Sequence, residues 1–355
     1  NGEGGKPMPS RLADDDEHLA LVRAMGEGGA GIYMVTKGGQ MPVSLLEQMS
    51  AASGRPVMIA ALLHNNTNPR GVFDDLDAIA AANTRGRKLI GQVSCCPLSM
   101  DFTLASAYPV EGLAAWRPAL GLQGEALKTV LRDRSFRDAV RAELAAPAVF
   151  RLFNSEWDAL QVTEAASERH RALEQRPLGQ VARERGADPL DLMLDIALDE
   201  DLQTVFTAML LNSDEAAVGQ LLTHPHSIVS LSDAGAHLTF FNDAGFGLHL
   251  MGHWARDRGV MPLAEAVRRL TIAPAAVFGF EDRGAIREGL AAELLLCDPK
   301  IVARGPKQRV FDLPGRAPRL HTDGIGVHGV WVNGALVADA HGLRADAPRG
   351  GRLLR

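Results

Sequence analysis

The sequence of 355 residues predicts an α/β protein built on a parallel sheet, followed by a small β-rich part. Short apolar runs alternate with helical segments from 31 to 94 and again from 188 to 278, the rhythm of parallel strands joined by crossover helices. One run, 55–63, is continuously apolar, as expected of a strand buried on both faces. After residue 285 the strand-like segments are punctuated by glycine and have no helical pattern between them.

Five strands of barrel type precede the β-rich tail. They are predicted at 31–36, 55–63, 89–94, 204–209 and 227–232. Helices are predicted at 43–53, 73–85, 188–199, 213–222 and 263–270. Asp188 is the predicted N-terminal cap of the helix 188–199, with Pro189 at its first position, and Ser213 is the predicted cap of the helix 213–222. A closed (β/α)8 barrel needs eight strands, so about three units would lie before Asn1.

The stretch from 97 to 190 interrupts this rhythm. It is rich in Arg, Glu, Ala and Leu, and we interpret it as a helical insertion that could act as a lid. The predicted domains are a barrel portion, 1–284, which contains this insertion, and a β-sandwich portion, 285–355.

Composition narrows the classes of function. The net charge is −6, no basic run is present, and aromatic residues make up only 5% of the chain, so we expect no nucleic-acid partner. Three cysteines, two of them adjacent, do not suggest a disulfide framework. With no signal peptide and no apolar run of membrane-spanning length, the expectation is a cytoplasmic protein without a membrane partner.

Asp233 directly follows the apolar strand 227–232, where catalytic groups lie in barrels of this kind. A carboxylate there could bind a metal and take a proton from bound water; the structural alternative is a turn or cap aspartate. His237, four residues later, is either a substrate contact or a loop histidine.

His64 ends the strand 55–63 and is followed by Asn65, so both lie at the same predicted edge. His64 is a candidate metal ligand or substrate contact, and the alternative is a structural histidine. Cys95 and Cys96 also end a strand; a thiolate could bind zinc, but a buried pair is the favoured interpretation.

Two further histidine pairs are interpreted as structural. His224 and His226 precede their strand, on the wrong edge for catalysis. His249 and His253 have the spacing of one helix face but lack the glutamate of the zinc-protease motif. No P-loop, nucleophile elbow or Rossmann fingerprint is present.

Three segments carry a resemblance to a known family. They are 232–237 (SDAGAH), 263–280 (LAEAVRRLTIAPAAVFGF) and 282–299 (DRGAIREGLAAELLLCDP), with 330–334 (VWVNG) as a closing strand. The chain resembles the amidohydrolase superfamily, and within it the N-acyl-D-amino-acid deacylase (D-aminoacylase) branch. The resemblance is strong from about 200 to 340 and fainter from 1 to 100.

The resemblance implies an α/β fold, a (β/α)8 TIM-type barrel of the metal-dependent hydrolase kind with N-terminal units missing, and a small C-terminal β-sandwich part. It also implies hydrolysis of an amide C–N bond outside peptide chains, on a small-molecule N-acyl substrate. Asp233 matches the family's metal-binding, proton-shuttling aspartate. The His-x-His pair of the first strand has no counterpart here, and the histidines of the two middle strands are absent or, for His64, displaced by three residues.

These departures favour one zinc ion over two, with Asp233 and His64 as its ligands and His237 and Asn65 as substrate contacts. Two other functions stay open: a cyclic-amide hydrolase of the same superfamily, and a non-catalytic barrel homologue or subunit. Homo-oligomerisation stays open as well.

Overall fold

The computed structural model describes residues 9–37, 41–148, 150–232, 234 and 238–354. Twelve α-helices lie in these ranges: α1 (Asp15–Glu27), α2 (Val43–Ser53), α3 (Gly71–Thr84), α4 (Gly124–Arg132), α5 (Arg134–Ala145), α6 (Glu168–Arg171), α7 (Leu178–Arg185), α8 (Pro189–Asp199), α9 (Glu215–Thr223), α10 (Phe246–His249), α11 (Leu263–Leu270) and α12 (Ile272–Phe278). A helical segment of π geometry, Leu250–Asp257, continues α10.

The strands of the same ranges are β1 (Tyr33–Val35), β2 (Val57–Leu62), β3 (Leu89–Val93), β4 (Leu98–Phe102), β5 (Leu160–Glu164), β6 (Val205–Leu211), β7 (Ser227–Val229), β8 (Leu294–Cys297), β9 (Ala303–Arg304), β10 (Gln308–Val310), β11 (Arg319–His321), β12 (Gly324–Ile325), β13 (Val327–Val332), β14 (Ala335–Asp339) and β15 (Gly342–Leu343).

A parallel sheet of order β1-β2-β3-β7 forms the first structural unit. Helices α2, α3 and α9 pack on it because their apolar residues recur at helical spacing and face the strands. We call their shared interior the sheet core; its fully buried members include Leu46, Ile59, Leu76, Val93, Leu221 and Leu222. The core is completed by Leu250 and Trp254 of the π segment and by Val302 of the tail.

A second unit is built on an antiparallel sheet of order β4-β6-β5. Helices α4, α5, α7 and α8 cover it and enclose a separate interior, which we call the insertion core. Its buried members include Trp116, Leu131, Phe153, Leu160, Leu194 and Phe206.

This arrangement corrects the strand count made from the sequence. The predicted fourth barrel strand, 204–209, is β6, and it pairs antiparallel with β4 and β5 instead of joining the parallel sheet. The apolar pattern of β6 is compatible with a parallel or an antiparallel sheet, because a buried strand has a similar composition in both. The described strands therefore form a mixed α/β fold in which no closed barrel is present.

The insertion is also less uniform than predicted. Helices α4 to α7 lie in it, but turns and loops occupy much of the remainder, and it contributes β4 and β5 as well. The cap of α9 is Asp214, whose side chain accepts from the backbone N–H groups of Ala216 and Ala217 at 2.8 and 3.1 Å, so the prediction of Ser213 was wrong by one residue. Asp188 caps α8 as predicted, accepting from Leu190 and Asp191.

The tail is rich in short strands, as the sequence indicated. Its largest sheet has the order β15-β14-β13-β8, and two two-stranded ladders, β10 with β11 and β9 with β12, connect it to the rest. Within the described ranges, no helix combines the length and the apolar character needed to cross a membrane.

Candidate active site at the carboxyl edge of the parallel sheet

The carboxyl ends of β2, β3 and β7 lie side by side because these strands are parallel and adjacent. His64 follows β2, Cys95 and Cys96 follow β3, and Ser232 follows β7. Catalytic groups of parallel α/β folds collect at this edge. The sequence thus placed His64 and the cysteine pair at the correct edge.

His64 is buried, with 3% of its surface exposed. Its backbone N–H donates to Oδ1 of Asn212 at 2.7 Å, and its ring lies 6.4 Å from the ring of Phe73. The ring atom Nδ1 is buried and has no hydrogen-bond partner among the described residues. Since a buried polar atom without a partner is costly, this nitrogen is available to a group outside the described residues.

Asn65 is buried and heavily engaged. Its Oδ1 accepts from the backbone and hydroxyl of Thr67, at 2.8 and 2.7 Å, and from Nδ2 of Asn154 at 3.0 Å. Its Nδ2 donates to the carbonyl of Arg151 at 3.2 Å. These bonds tie the loop after β2 to the insertion, and the substrate contact of Asn65 stays a prediction.

Asp233 and His237 lie outside the residues that the structure describes. Ser232, the residue before Asp233, accepts a hydrogen bond on its carbonyl from the backbone N–H of Asp243 at 2.8 Å. The end of β7 is therefore held next to a second acidic residue.

Asp243 was missed by sequence reasoning. Its carboxylate is buried, accepts from Nη1 of Arg304 at 2.9 Å, and lies 3.7 Å from Nζ of Lys307. Burial raises the pKa of Asp243, while Lys307 and Arg304 act in the opposite direction. Asp243 follows no predicted strand, and its partners come from a tail segment some sixty residues away, so no local signal indicated this cluster.

The cysteine pair borders the same cluster. Nη1 of Arg304 also donates to Sγ of Cys96 at 3.2 Å, and Sγ of Cys95 donates to the carbonyl of Phe246 at 3.2 Å. Burial raises the pKa of the Cys95 thiol well above its ordinary value, with the adjacent Cys96 adding to the effect. Both cysteines are buried, in agreement with the interpretation that the sequence favoured.

The described residues of this region form no metal centre by themselves. Within the described ranges, no three His, Cys, Asp or Glu side chains are grouped closely enough to hold an ion. The unpartnered Nδ1 of His64 is a single donor. The described residues therefore do not by themselves fit a zinc centre, for which three or four protein ligands are usual.

Comparison with known proteins decides the family. The model of the amidohydrolase family matches residues 135–338. The chain belongs to the amidohydrolase family. A D-aminoacylase of Alcaligenes xylosoxydans xylosoxydans is 32% identical over 164 residues, which cover 46% of this chain and 30% of that relative. An uncharacterized protein of Mycobacterium tuberculosis is 31% identical over 228 residues, 60% of this chain and 36% of its own length.

A solved structure extends the likeness over the fold. The N-acyl-D-glutamate deacylase of Bordetella bronchiseptica, complexed with zinc and a phosphonate inhibitor, superposes with a TM-score of 0.55 at 19% identity. The match covers 97% of this chain and 59% of that protein. The family match together with the D-aminoacylase relative places this amidohydrolase in the D-aminoacylase-like branch. The chain spans about a third of the length of the curated relatives it matches.

Proposed function

We propose that this amidohydrolase takes part in hydrolysis of an amide C–N bond in small N-acyl compounds, N-acyl-D-amino acids first among them. One observation carries the proposal: in the sequence Asp233 directly follows Ser232, which lies after β7 at the carboxyl edge of the parallel sheet, and His64 follows β2 at the same edge, two strands away. The D-aminoacylase relative supports the choice of substrate class.

Asp233 is the proposed proton carrier. Its carboxylate takes a proton from water as the water oxygen attacks the carbonyl carbon of the amide. When the C–N bond breaks, the same carboxyl group returns that proton to the leaving amine. The products are a carboxylate and a free amino compound, and one water molecule is consumed.

His64, His237 and Asn65 are the proposed contacts around this reaction. His64 offers a buried ring nitrogen that has no partner among the described residues. Asn65 would have to exchange one of its present hydrogen bonds for a bond to substrate, because both ends of its amide are already engaged.

Zinc is the predicted cofactor, one ion rather than two, with Asp233 and His64 as ligands. The described residues assemble no group of three ligands, and the proposed proton transfers are carried by side chains of the chain itself. Metal analysis of the purified protein tests this prediction. A bound ion that is lost in the Asp233→Asn variant and also in the His64→Gln variant would support it.

A substrate panel tests the proposed function. N-acyl-D-amino acids, N-acyl-L-amino acids and cyclic imides are each incubated with the protein, and the release of free amine or of the ring-opened acid is followed. Preference for the D series supports the proposal, while preference for cyclic imides identifies the other hydrolase. No hydrolysis of any of them, together with no bound metal, would instead indicate a non-catalytic homologue.

A further inference from the structure

Asn212 lies where the two sheets of the protein meet. It directly follows β6 of the antiparallel sheet, is buried, and has a left-handed backbone with φ of 56°. Asparagine adopts this conformation more readily than most residues. The turn directs the end of β6 toward the carboxyl edge of the parallel sheet.

Four hydrogen bonds connect Asn212 to the ends of β2 and β3. Toward β2, its Oδ1 accepts from the backbone N–H of His64 at 2.7 Å, and its own N–H donates to the carbonyl of His64 at 2.9 Å. Toward β3, its Nδ2 donates to the carbonyls of Ser94 and Cys96 at 3.1 and 3.3 Å.

The side-chain amide thus acts in place of a peptide group. Pairing between β2 and β3 ends at Leu62 and Val93, after a register shift, so the strands themselves do not align His64 with Cys96. Asn212 bridges this gap with an acceptor on one side and donors on the other. Such a bridge fixes the separation and the direction of the two strand ends.

Asn212 holds the backbone of His64 at both its N–H and its carbonyl. Nδ1 has no partner among the described residues, and the ring is bordered by Phe73. We propose that Asn212 is the positioning residue of the candidate active site and holds His64 in the orientation in which it meets substrate. This inference rests on the proposed function.

The chain contains a matched control at the opposite edge of the same sheet. Asn83 of α3 is hydrogen-bonded to the first residue of β3. Its Nδ2 donates to the carbonyl of Leu89 at 2.9 Å, and its Oδ1 accepts from the N–H of Leu89 at 2.8 Å. Its chemistry is that of Asn212, but it lies at the amino edge, away from His64. If activity is lost only because the sheet is weakened, substitution of Asn83 should lower it as much as substitution of Asn212 does.

The test compares Asn212→Asp with Asn83→Asp. Each change keeps the acceptor and replaces the N–H donors by an oxygen that faces a carbonyl. Asn212→Asp should lower kcat about 10-fold or more while KM changes by about twofold or less, since small misplacements of catalytic groups cost that much. Asn83→Asp should lower the melting temperature to a similar extent and keep kcat. Asn212→Gly, which tolerates positive φ, replaces the Asp variant if that variant does not fold.

A second readout does not depend on turnover. In protein labelled with ¹⁵N-histidine, the ring signals of His64 are assigned by their loss in His64→Gln. They should shift in the Asn212 variants and stay unchanged in Asn83→Asp. Unchanged His64 signals and kcat in folded Asn212 variants, or an equal loss of kcat in Asn83→Asp, would overturn the inference. Absence of hydrolysis by the unaltered protein would count against the proposed function alone, because the His64 signals still test the positioning.

Discussion

His249 lies on α10 with its ring stacked on that of His253, 4.7 Å between the ring centres. Burial, and then the charges of Arg304 and His253, lower the pKa of His249 from 6.5 to about 4. The folded protein therefore holds His249 neutral at a pH where the unfolded chain protonates it. The contribution of the neutral His249 to the free energy of unfolding should be fully present above about pH 6.5. It should decline as the pH falls toward 4.

Replacing His249 by Gln should flatten this dependence. The displacement of the pKa from 6.5 to about 4 corresponds to about 3 kcal/mol of unfolding free energy at its full extent. Urea unfolding at neutral pH and at the acid end of this window measures the loss. His341→Gln, an exposed position, is the control and should keep the decline. An equal decline in protein with and without His249 would contradict the assignment.

Single residues were predictable where their role is local. Asp188 was found as a helix cap because a cap signal needs only the few residues around it. The same rule missed Asp214 by one position, since Ser213 is an equally good cap in composition. Asp243 and Arg304 could not be found, because their contact joins segments that are distant in the sequence.

At the scale of elements, Gly252 permits the close packing of the helical segment Leu250–Asp257 against the chain before β9. A Cβ at this position would meet the carbonyl oxygen and carbon of Val302, well inside van der Waals contact. The same carbonyl accepts from Nη1 of Arg256 at 2.8 Å. Since the obstacle is backbone, it cannot move aside as a flexible side chain could.

Gly252→Ala should therefore lower the free energy of unfolding by about 1–3 kcal/mol, the usual cost of overpacking. Gly219→Ala in α9 is the control: its Cβ would lie 3.5 Å from Val260, an ordinary contact, and alanine favours the helix by about 1 kcal/mol. Chemical denaturation measures both variants. A Gly252→Ala protein as stable as Gly219→Ala would show that the two segments do not pack as described.

Elements were predicted well where one period dominates. The helices 43–53 and 263–270 were predicted with the bounds that the structure has, and β2 and β3 lie within their predicted runs. Which strand pairs with which was harder to predict from the sequence. Strand β6 carries an apolar pattern that suits a parallel or an antiparallel neighbour, and only the pairing with β4 and β5 decides between them.

At the scale of the whole molecule, the sheet core and the insertion core are separate interiors. Leu131 is fully buried in the insertion core and Leu222 in the sheet core. Replacing either leucine by alanine should lower the free energy of unfolding by about 2–5 kcal/mol. The loss should fall mainly on the unit whose core contains that leucine. Hydrogen exchange followed by mass spectrometry should show faster exchange in 98–211 for Leu131→Ala, and in β2, β3 and α9 for Leu222→Ala. Equal acceleration throughout the chain in both variants would mean that the cores unfold as one.

The family of the chain was predictable from the sequence, while its catalytic assembly was less so. The segments after residue 200 carry enough pattern to identify an amidohydrolase, and the family match over 135–338 agrees. The ligand set was less predictable, because side chains from several strand ends must meet in space. Within the described ranges they form no group of three metal ligands.

The dependence of amide hydrolysis on Asp233 tests the central claim most directly. The rate of N-acyl-D-amino acid hydrolysis is compared between the unaltered protein and Asp233→Asn, with Asp346→Asn, an exposed partner of Arg344, as control. Loss of a proton carrier should lower kcat by about 10²–10⁴-fold, with an unchanged circular-dichroism spectrum, while the control keeps its rate. Full hydrolysis by Asp233→Asn would contradict the account.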